Sequence, residues 1–209
     1  MLKLYRFPHS TNVERVALAL AHKGLEVDSI VIDPADRSEV LRVSGQELVP
    51  VLLDGERVVT DSAAILQYLE ERHPDPPLYP RDPARRAEME VFIDWFNRVW
   101  KRPPNEIVEV LESATPDPER IERLGRMLTD WLDLFERLLT GRDYLMGDEL
   151  SAADVVAFPF LKYGLLGDAF LQRENDTHLF HQVLVEWMPL QRHPRLSEWI
   201  RRVDRCPRA

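Results

Sequence analysis

The chain has 209 residues, enough for two small domains or one large one with a sizeable buried core. Its 36 Asp and Glu against 27 Lys and Arg give a net charge of −9, which is unfavourable for binding nucleic acid or an anionic membrane. No apolar run approaches the ~18 residues of a membrane span, and the first ten residues lack the apolar core of a signal peptide. We therefore expect no nucleic-acid partner and no membrane partner.

Cysteine and tryptophan are unevenly used. The single cysteine, Cys206, excludes a disulfide framework, a CxxC redox pair and a cysteine metal cluster, and it favours a reducing, cytoplasmic compartment. All five tryptophans lie after residue 94. The composition therefore predicts a chain of two unlike parts.

The first part alternates strand and helix patterns. Strands are predicted at 2–7 and 27–32, and a hairpin at 51–60 turns at Asp54-Gly55. Between the first two strands, three N-cap residues starting at Ser10 precede an amphipathic helix that ends before Gly24. Residues 33–43 suggest a short helix or an irregular stretch, and a last helix follows Asp61-Ser62 to about residue 72. The order β-α-β-(α)-β-β-α implies a small mixed sheet with helices on its faces.

The second part shows no strand pattern. Residues 73–83 hold five of the 16 prolines and suggest a stiff linker. Helices are predicted at 84–101, 119–139 and 195–203, and Ser151 with Asp154 forms a capping box before another, which Pro159 should kink. The fold class is α/β followed by all-α. We place the first domain at 1–76, the linker at 77–83 and the helical domain at 84–209.

Three short segments carry a chemical interpretation beside a structural one. Ser10 and the pair Asp61-Ser62 are ordinary helix caps, yet helix N-termini also bind anions and lower thiol pKa values. Val49-Pro50 enters a strand, where a proline is unusual. A trans bond is the usual case for such a proline, whereas a cis bond would turn the Val49 backbone toward a peptide-like ligand.

Together these residues resemble the glutathione transferase family. The resemblance covers the whole chain: PHSTNVERVALALAHKG and SGQELVPVLLDGERVVTDSAAILQYLEERHP are similar to its thioredoxin-like domain, LYPRDPARRAEMEVFIDWFN to its linker and first long helix, and GDELSAADVVAFPFLKY to its capping-box motif. The resemblance implies a cytoplasmic detoxification enzyme, a homodimer, that uses glutathione as co-substrate and no metal. The implied enzyme would stabilise the glutathione thiolate for attack on a small hydrophobic electrophile.

The resemblance also assigns roles to residues. Ser10 is the expected catalytic residue, followed by Thr11, Tyr5 and His9 as alternatives, because the position used by other serine or cysteine subclasses falls on Pro8. The expected glutathione-binding residues are Val49, Pro50, Asp61, Ser62 and Arg37. Arg37 is included because Leu48 stands where relatives often carry Lys or Gln. The expected substrate-pocket residues are His9, Trp95, Trp100 and Tyr163.

Alternatives remain open at this point. Pro8 and Leu48 depart from the family pattern, so the chain could be a non-catalytic homologue acting as a binding or interaction protein. A glutathione-dependent isomerase or dehalogenase would share the thiol site, and a different small thiol would suit the same helix N-termini. His178 and His181 are spaced for one helix face and could bind a metal only with further ligands. Without a nearby carboxylate motif, a metal site is not expected.

Overall fold

The computed structural model describes residues 1–209 and divides into two compact units. The first unit comprises Met1–Pro80 together with Cys206–Ala209, and the second comprises Arg81–Arg205. The predicted fold class is confirmed, because the first unit holds a mixed sheet with helices and the second is entirely helical. No helix combines the length and the apolar composition that a membrane span requires.

A four-stranded sheet in the order β2-β1-β3-β4 forms the centre of the first unit. Its strands are β1 (Leu2–Arg6), β2 (Val27–Val31), β3 (Val51–Asp54) and β4 (Arg57–Thr60). The β1–β2 pair is parallel because a helix connects the two strands, and the other two pairs are antiparallel. Gly55, with φ +60°, supplies the left-handed conformation that the β3–β4 turn requires.

Three helices accompany the sheet. They are α1 (Thr11–His22), α2 (Ser38–Ser44) and α3 (Ser62–Arg72). Ser10 caps α1 and Asp61 caps α3, as their sequence patterns predicted. Lys23 ends α1 and Gly24 follows it with φ +64°, so the predicted stop also forms. The tail is tied to this unit as well, since the Arg208 guanidinium lies 3.0 Å from the Glu14 carboxylate on α1.

The second unit contains six α-helices and one π-helical segment. The helices are α4 (Pro83–Trp95), α5 (Arg102–Leu111), α6 (Pro118–Leu138), α7 (Ala152–Arg173), α8 (Leu179–Trp187) and α9 (Pro194–Asp204). The predicted helix 84–101 differs in detail, because α-helical geometry ends at Trp95 and Phe96–Trp100 is π-helical. Pro103 and Pro104 then stand in the first turn of α5, where a proline removes no intrahelical hydrogen bond.

Helix α7 carries the predicted capping box and an unpredicted break. The buried Asp154 carboxylate accepts hydrogen bonds from the Ser151 N–H and hydroxyl, at 3.0 and 2.7 Å, and from the Trp199 indole at 2.8 Å. The backbone leaves helical geometry at Gly167 (φ 61°, ψ −163°), beyond Pro159, where we expected the kink. Helix α8 was not predicted as a separate element.

Candidate active site

The strand register brings three loops of the first unit to the same end of the sheet. Tyr5 near the end of β1 pairs with Val51 at the start of β3, and Val51 pairs with Thr60 at the end of β4. The segments that continue from these positions are residues 6–10, 48–50 and 61–62. The sheet therefore gathers the start of α1, the segment before β3 and the start of α3 at one edge.

Ser10 stands at the N-terminus of α1 with a partly exposed side chain. Its Oγ accepts a hydrogen bond from the Val13 N–H at 3.3 Å, which is ordinary N-cap geometry. The oxygen acts as acceptor in that bond, so the hydroxyl hydrogen is left to donate. His9 precedes it with φ 63°, a left-handed conformation that residues other than glycine rarely adopt. Ser10 thus offers a hydroxyl donor at a positive helix end.

The two alternative hydroxyls are placed differently. Tyr5 is buried, and its hydroxyl donates to the Glu39 carboxylate on α2 at 3.4 Å. Burial and the Glu39 charge raise the pKa of Tyr5. Thr11 is 7% exposed in the first turn of α1. Of the three hydroxyls, Ser10 therefore has the most accessible side chain.

The Val49–Pro50 peptide bond is cis, as the resemblance implied. Both residues are buried, whereas the side chain of Leu48 before them is 68% exposed. The Gln46 side-chain amide bonds both the N–H and the carbonyl of Leu48, the latter at 2.7 Å. Sequence reasoning missed this role of Gln46, which holds the backbone that leads into Val49.

The start of α3 combines a cap with free helix donors. One oxygen of Asp61, Oδ1, accepts from the N–H groups of Ala63 and Ala64 at 2.9 and 3.1 Å. Ser62 is the first helical residue, so its own N–H has no partner within the helix. Asp61 has φ 69°, a conformation that costs free energy in most residues and is common at ligand sites.

Arg15 is a site residue that sequence reasoning missed. Its side chain is buried, and its guanidinium donates to the Ser62 hydroxyl at 3.2 Å, which links α1 to the start of α3. Burial lowers the pKa of Arg15 to about 9, against the attraction of Asp61, so the group stays cationic at neutral pH. An arginine in an amphipathic helix is usually exposed, so the sequence pattern gave little reason to single it out. The buried charge adds to the positive helix ends.

Arg37 lies in the loop before α2. Its Nε donates to the Pro34 carbonyl at 3.0 Å and Nη1 to the Glu47 carbonyl at 3.4 Å, and the guanidinium covers the Phe7 ring at 5.4 Å. These contacts hold a partly exposed cation beside Glu47, two residues before the cis bond, and Phe7, three residues before Ser10. Its glutathione contact stays a prediction.

The remaining predicted residues belong to the second unit. Trp100 is fully buried and stacks on Phe96 at 4.5 Å. Tyr163 is buried and stacks on the His181 ring at 4.3 Å. The structure gives these two side chains a packing role, and contact with a ligand would require them to become exposed. Trp95 keeps partial exposure and packs against Trp131 at 5.6 Å, so it remains available for a pocket.

Comparison with known proteins identifies both units. Residues 4–77 match the family model for the glutathione S-transferase N-terminal domain, and residues 118–202 match the model for its C-terminal domain. Glutathione S-transferase Z1 of Arabidopsis thaliana is 31% identical over 166 residues, which cover 76% of this chain and 75% of that protein. Maleylacetoacetate isomerase of Pseudomonas aeruginosa is 31% identical over 195 residues, covering 86% of this chain and 92% of the isomerase.

A solved structure gives the same assignment. A glutathione S-transferase from Methylobacterium radiotolerans, in complex with glutathione sulfonate, is 28% identical with a TM-score of 0.75, and the match covers all of this chain and 95% of that one. The sequence and structural matches together span the sheet unit and the helical unit. The chain belongs to the glutathione S-transferase family.

Proposed function

We propose that this protein binds glutathione at the sheet edge that carries Ser10, and that it ionises the thiol for attack on a small hydrophobic electrophile. Family membership supports a glutathione-dependent enzyme. The observation that carries the proposal is the strand register, which places the starts of α1 and α3 and the cis Val49–Pro50 segment at one edge.

The chemistry of glutathione suits this edge. Its γ-glutamyl carboxylate would accept from the Ser62 N–H at the positive end of α3, near the buried Arg15 cation. Only Oδ1 of Asp61 caps the helix, so the other oxygen would accept from the ligand's ammonium group. The Val49 backbone would pair with the cysteinyl unit, as in a strand addition. Charges and peptide groups of the tripeptide thus each have a partner.

The thiol would lie at the start of α1. A free thiol with pKa near 8.5 is only a few per cent ionised at pH 7, and a shift to about 6.5 makes the thiolate the major form. The Ser10 hydroxyl would donate to the sulfur, and the helix dipole would stabilise its charge. The thiolate would then form a carbon–sulfur bond, while the leaving group departs with the electron pair of the broken bond. Cys206, remote in sequence, has no part in this step.

Further ligand contacts are proposed for side chains that are partly exposed. Arg37 would receive the glycyl carboxylate in place of a Lys or Gln at position 48, because its guanidinium already lies beside Glu47. His9, which is partly exposed and precedes Ser10, would contact the electrophile. The pocket role of Trp95 stays a prediction. We also propose that the protein is a homodimer, a detoxification enzyme and cytoplasmic.

A second candidate function is supported by one observation. The isomerase relative is 31% identical to this chain in a match that covers 86% of this chain and 92% of the isomerase. An isomerase would add the same thiolate to a carbon–carbon double bond, allow rotation about the resulting single bond, and expel the thiolate again. Glutathione would be consumed by a transferase and regenerated by an isomerase, so a glutathione balance distinguishes the two.

The experiment is a pH titration of bound glutathione, monitored through the absorbance of the thiolate. In the wild type we expect a pKa at least one unit below that of free glutathione, and in Ser10→Ala a return toward the free value with turnover about tenfold lower or more. Thr11→Val is the matched control, because it removes a hydroxyl from the same helix turn. The proposal fails if millimolar glutathione does not bind, or if the bound thiol has an unshifted pKa in the wild type.

A further inference from the structure

A polar cluster lies in the second unit between α7 and α8. Asp176 accepts hydrogen bonds from the ring Nδ1 of His178 at 2.8 Å and of His181 at 2.7 Å, one on each carboxylate oxygen. The His178 N–H also donates to Asp176, at 3.1 Å. A single buried carboxylate therefore joins two histidine rings that are three residues apart.

Two side chains of the cluster are buried, and the third is half exposed. The Asp176 side chain is fully buried and that of His181 is 6% exposed, whereas the His178 side chain is 49% exposed. Tyr163 stacks on the His181 ring, and its hydroxyl lies 3.4 Å from Asp176. Two of the three side chains are thus fixed by packing, and His178 can adjust.

We propose that Asp176, His178 and His181 bind a divalent transition-metal ion, with Zn²⁺ as the best match to the donor set. Two imidazoles and one carboxylate are the ligands of many zinc sites, in which a fourth position is left to water. One ligand atom from each residue lies within 4.8 Å of the others. Zinc bonds of about 2.0–2.2 Å place ligand atoms roughly 3–4 Å apart, so both Nδ1–carboxylate distances, now 2.8 and 2.7 Å, would lengthen slightly on binding.

The geometry favours coordination. Each histidine ring directs Nδ1 at its own oxygen of Asp176, so the two nitrogens and the carboxylate already face one another. A metal bound through Nδ1 requires an imidazole that carries its proton on Nε2, so each Nδ1 proton would pass to solvent while Nε2 takes up or keeps one. The N–H···O bonds to Asp176 would be replaced by metal bonds.

The surroundings supply access and negative charge. Asp176 also lines a cavity of about 700 Å³, whose wall includes the carboxylates of Asp168 and Glu186. These acids attract a cation, while the Lys162 ammonium, 5.3 Å from the centroid of the Tyr163 ring, opposes it. No metal was expected from the spacing of the histidines alone, and the carboxylate ligand is Asp176, two residues before His178.

The same contacts would also suit a structural role, with Asp176 capping the first turn of α8, so the test must separate the two. The full chain, treated with EDTA, is titrated with Co²⁺ and followed by its visible d–d absorption, with Zn²⁺ as competitor. We expect one Co²⁺ per chain, displaced by Zn²⁺, and more than about tenfold weaker binding in His178→Ala. His22→Ala, at a partly exposed histidine of the first unit, is the control and should bind as the wild type does.

Folding is checked separately. His178 is half exposed, so its substitution should leave the metal-free circular dichroism spectrum unchanged, and His178→Gln is the second variant if Ala perturbs the turn. Zn²⁺ should raise the Tm of the wild type and of His22→Ala but not of the His178 variants. The proposal is overturned if Co²⁺ gives no saturable band, or if both His178 variants bind it as tightly as the wild type.

Discussion

The buried ion pair of Lys23 and Glu70 should govern the stability of the first unit. The Lys23 ammonium lies 2.7 Å from Glu70 and also donates to the carbonyls of His73 and Pro76, at 2.6 and 3.0 Å. The side chains of Lys23 and Glu70 are 0% and 9% exposed. Lys23→Met keeps the length of the side chain and removes all three bonds, which leaves a buried carboxylate without its cation.

The expected loss in the free energy of unfolding follows from these contacts. Breaking a buried ion pair by removing one partner costs about 3–5 kcal/mol. Glu70 would keep the N–H donors of Leu78 and Tyr79, at 3.0 and 3.3 Å, so we expect the lower end, about 3 kcal/mol. At ~1.4 kcal/mol per factor of ten, amide exchange by opening of the first unit should become roughly a hundredfold faster.

Hydrogen exchange read out by mass spectrometry is the suitable assay, since it resolves peptides of the first unit. Tryptophan fluorescence does not report on that unit, because all five tryptophans lie in the second. Arg98→Met is the control: it removes the pair with Asp94, whose side chains are 79% and 58% exposed, and should cost less than about 0.5 kcal/mol.

A double variant tests whether the uncompensated charge of Glu70 causes the loss of stability. Glu70→Gln added to Lys23→Met removes the uncompensated charge and keeps an oxygen for the Leu78 N–H, so it should recover about half of the lost stability. The reasoning is refuted if Lys23→Met costs less than about 1 kcal/mol, or if the double variant is no more stable than the single one.

Three further outcomes are expected. Asp154→Asn places an amide where the Leu145 N–H, the Ser151 N–H and the Trp199 indole all donate, so tryptophan-detected urea unfolding should show a loss of more than about 2 kcal/mol. Gly164→Ala would put a Cβ 2.7 Å from the Met188 carbonyl, and the same assay should show a cost of about 1–3 kcal/mol; an unchanged midpoint would mean that the α7–α8 contact is looser. Arg15→Met removes the cation bonded to Ser62, and calorimetry should show about tenfold weaker glutathione binding, with Arg86→Met on exposed α4 as the neutral control.

Much of the first unit could be predicted from local chemistry. The caps at Ser10 and Asp61, the stop at Gly24 and the turn at Asp54-Gly55 each depend on a side chain or a backbone preference acting within a few residues. The family resemblance then pointed to Val49-Pro50, whose bond is cis in the structure. Ser10 was ranked above Thr11 and Tyr5 by resemblance, and burial of the other two gives that order a physical basis.

The helical unit was less predictable in detail. Aromatic spacing predicted a helix across Trp95 and Trp100, but it could not show that Trp100 is enclosed while Trp95 keeps partial exposure. That difference arises from rings on other helices, such as Phe135 and Phe160, which pack against Trp100. A glycine permits the break at Gly167, but Gly164 in the same helix stays helical, so the sequence pattern does not locate the break.

The sequence by itself therefore determined the family, the order of elements in the first unit and the caps at Ser10, Asp61 and Ser151, because periodicity and capping act over one or two helical turns. Only the tertiary structure decided which partner each buried charge has: Arg15 is bonded to Ser62 and Lys23 to Glu70, each 47 residues away. The physical reason is desolvation, since the free energy of a charge depends on every neighbour that excludes water, whatever its distance along the chain.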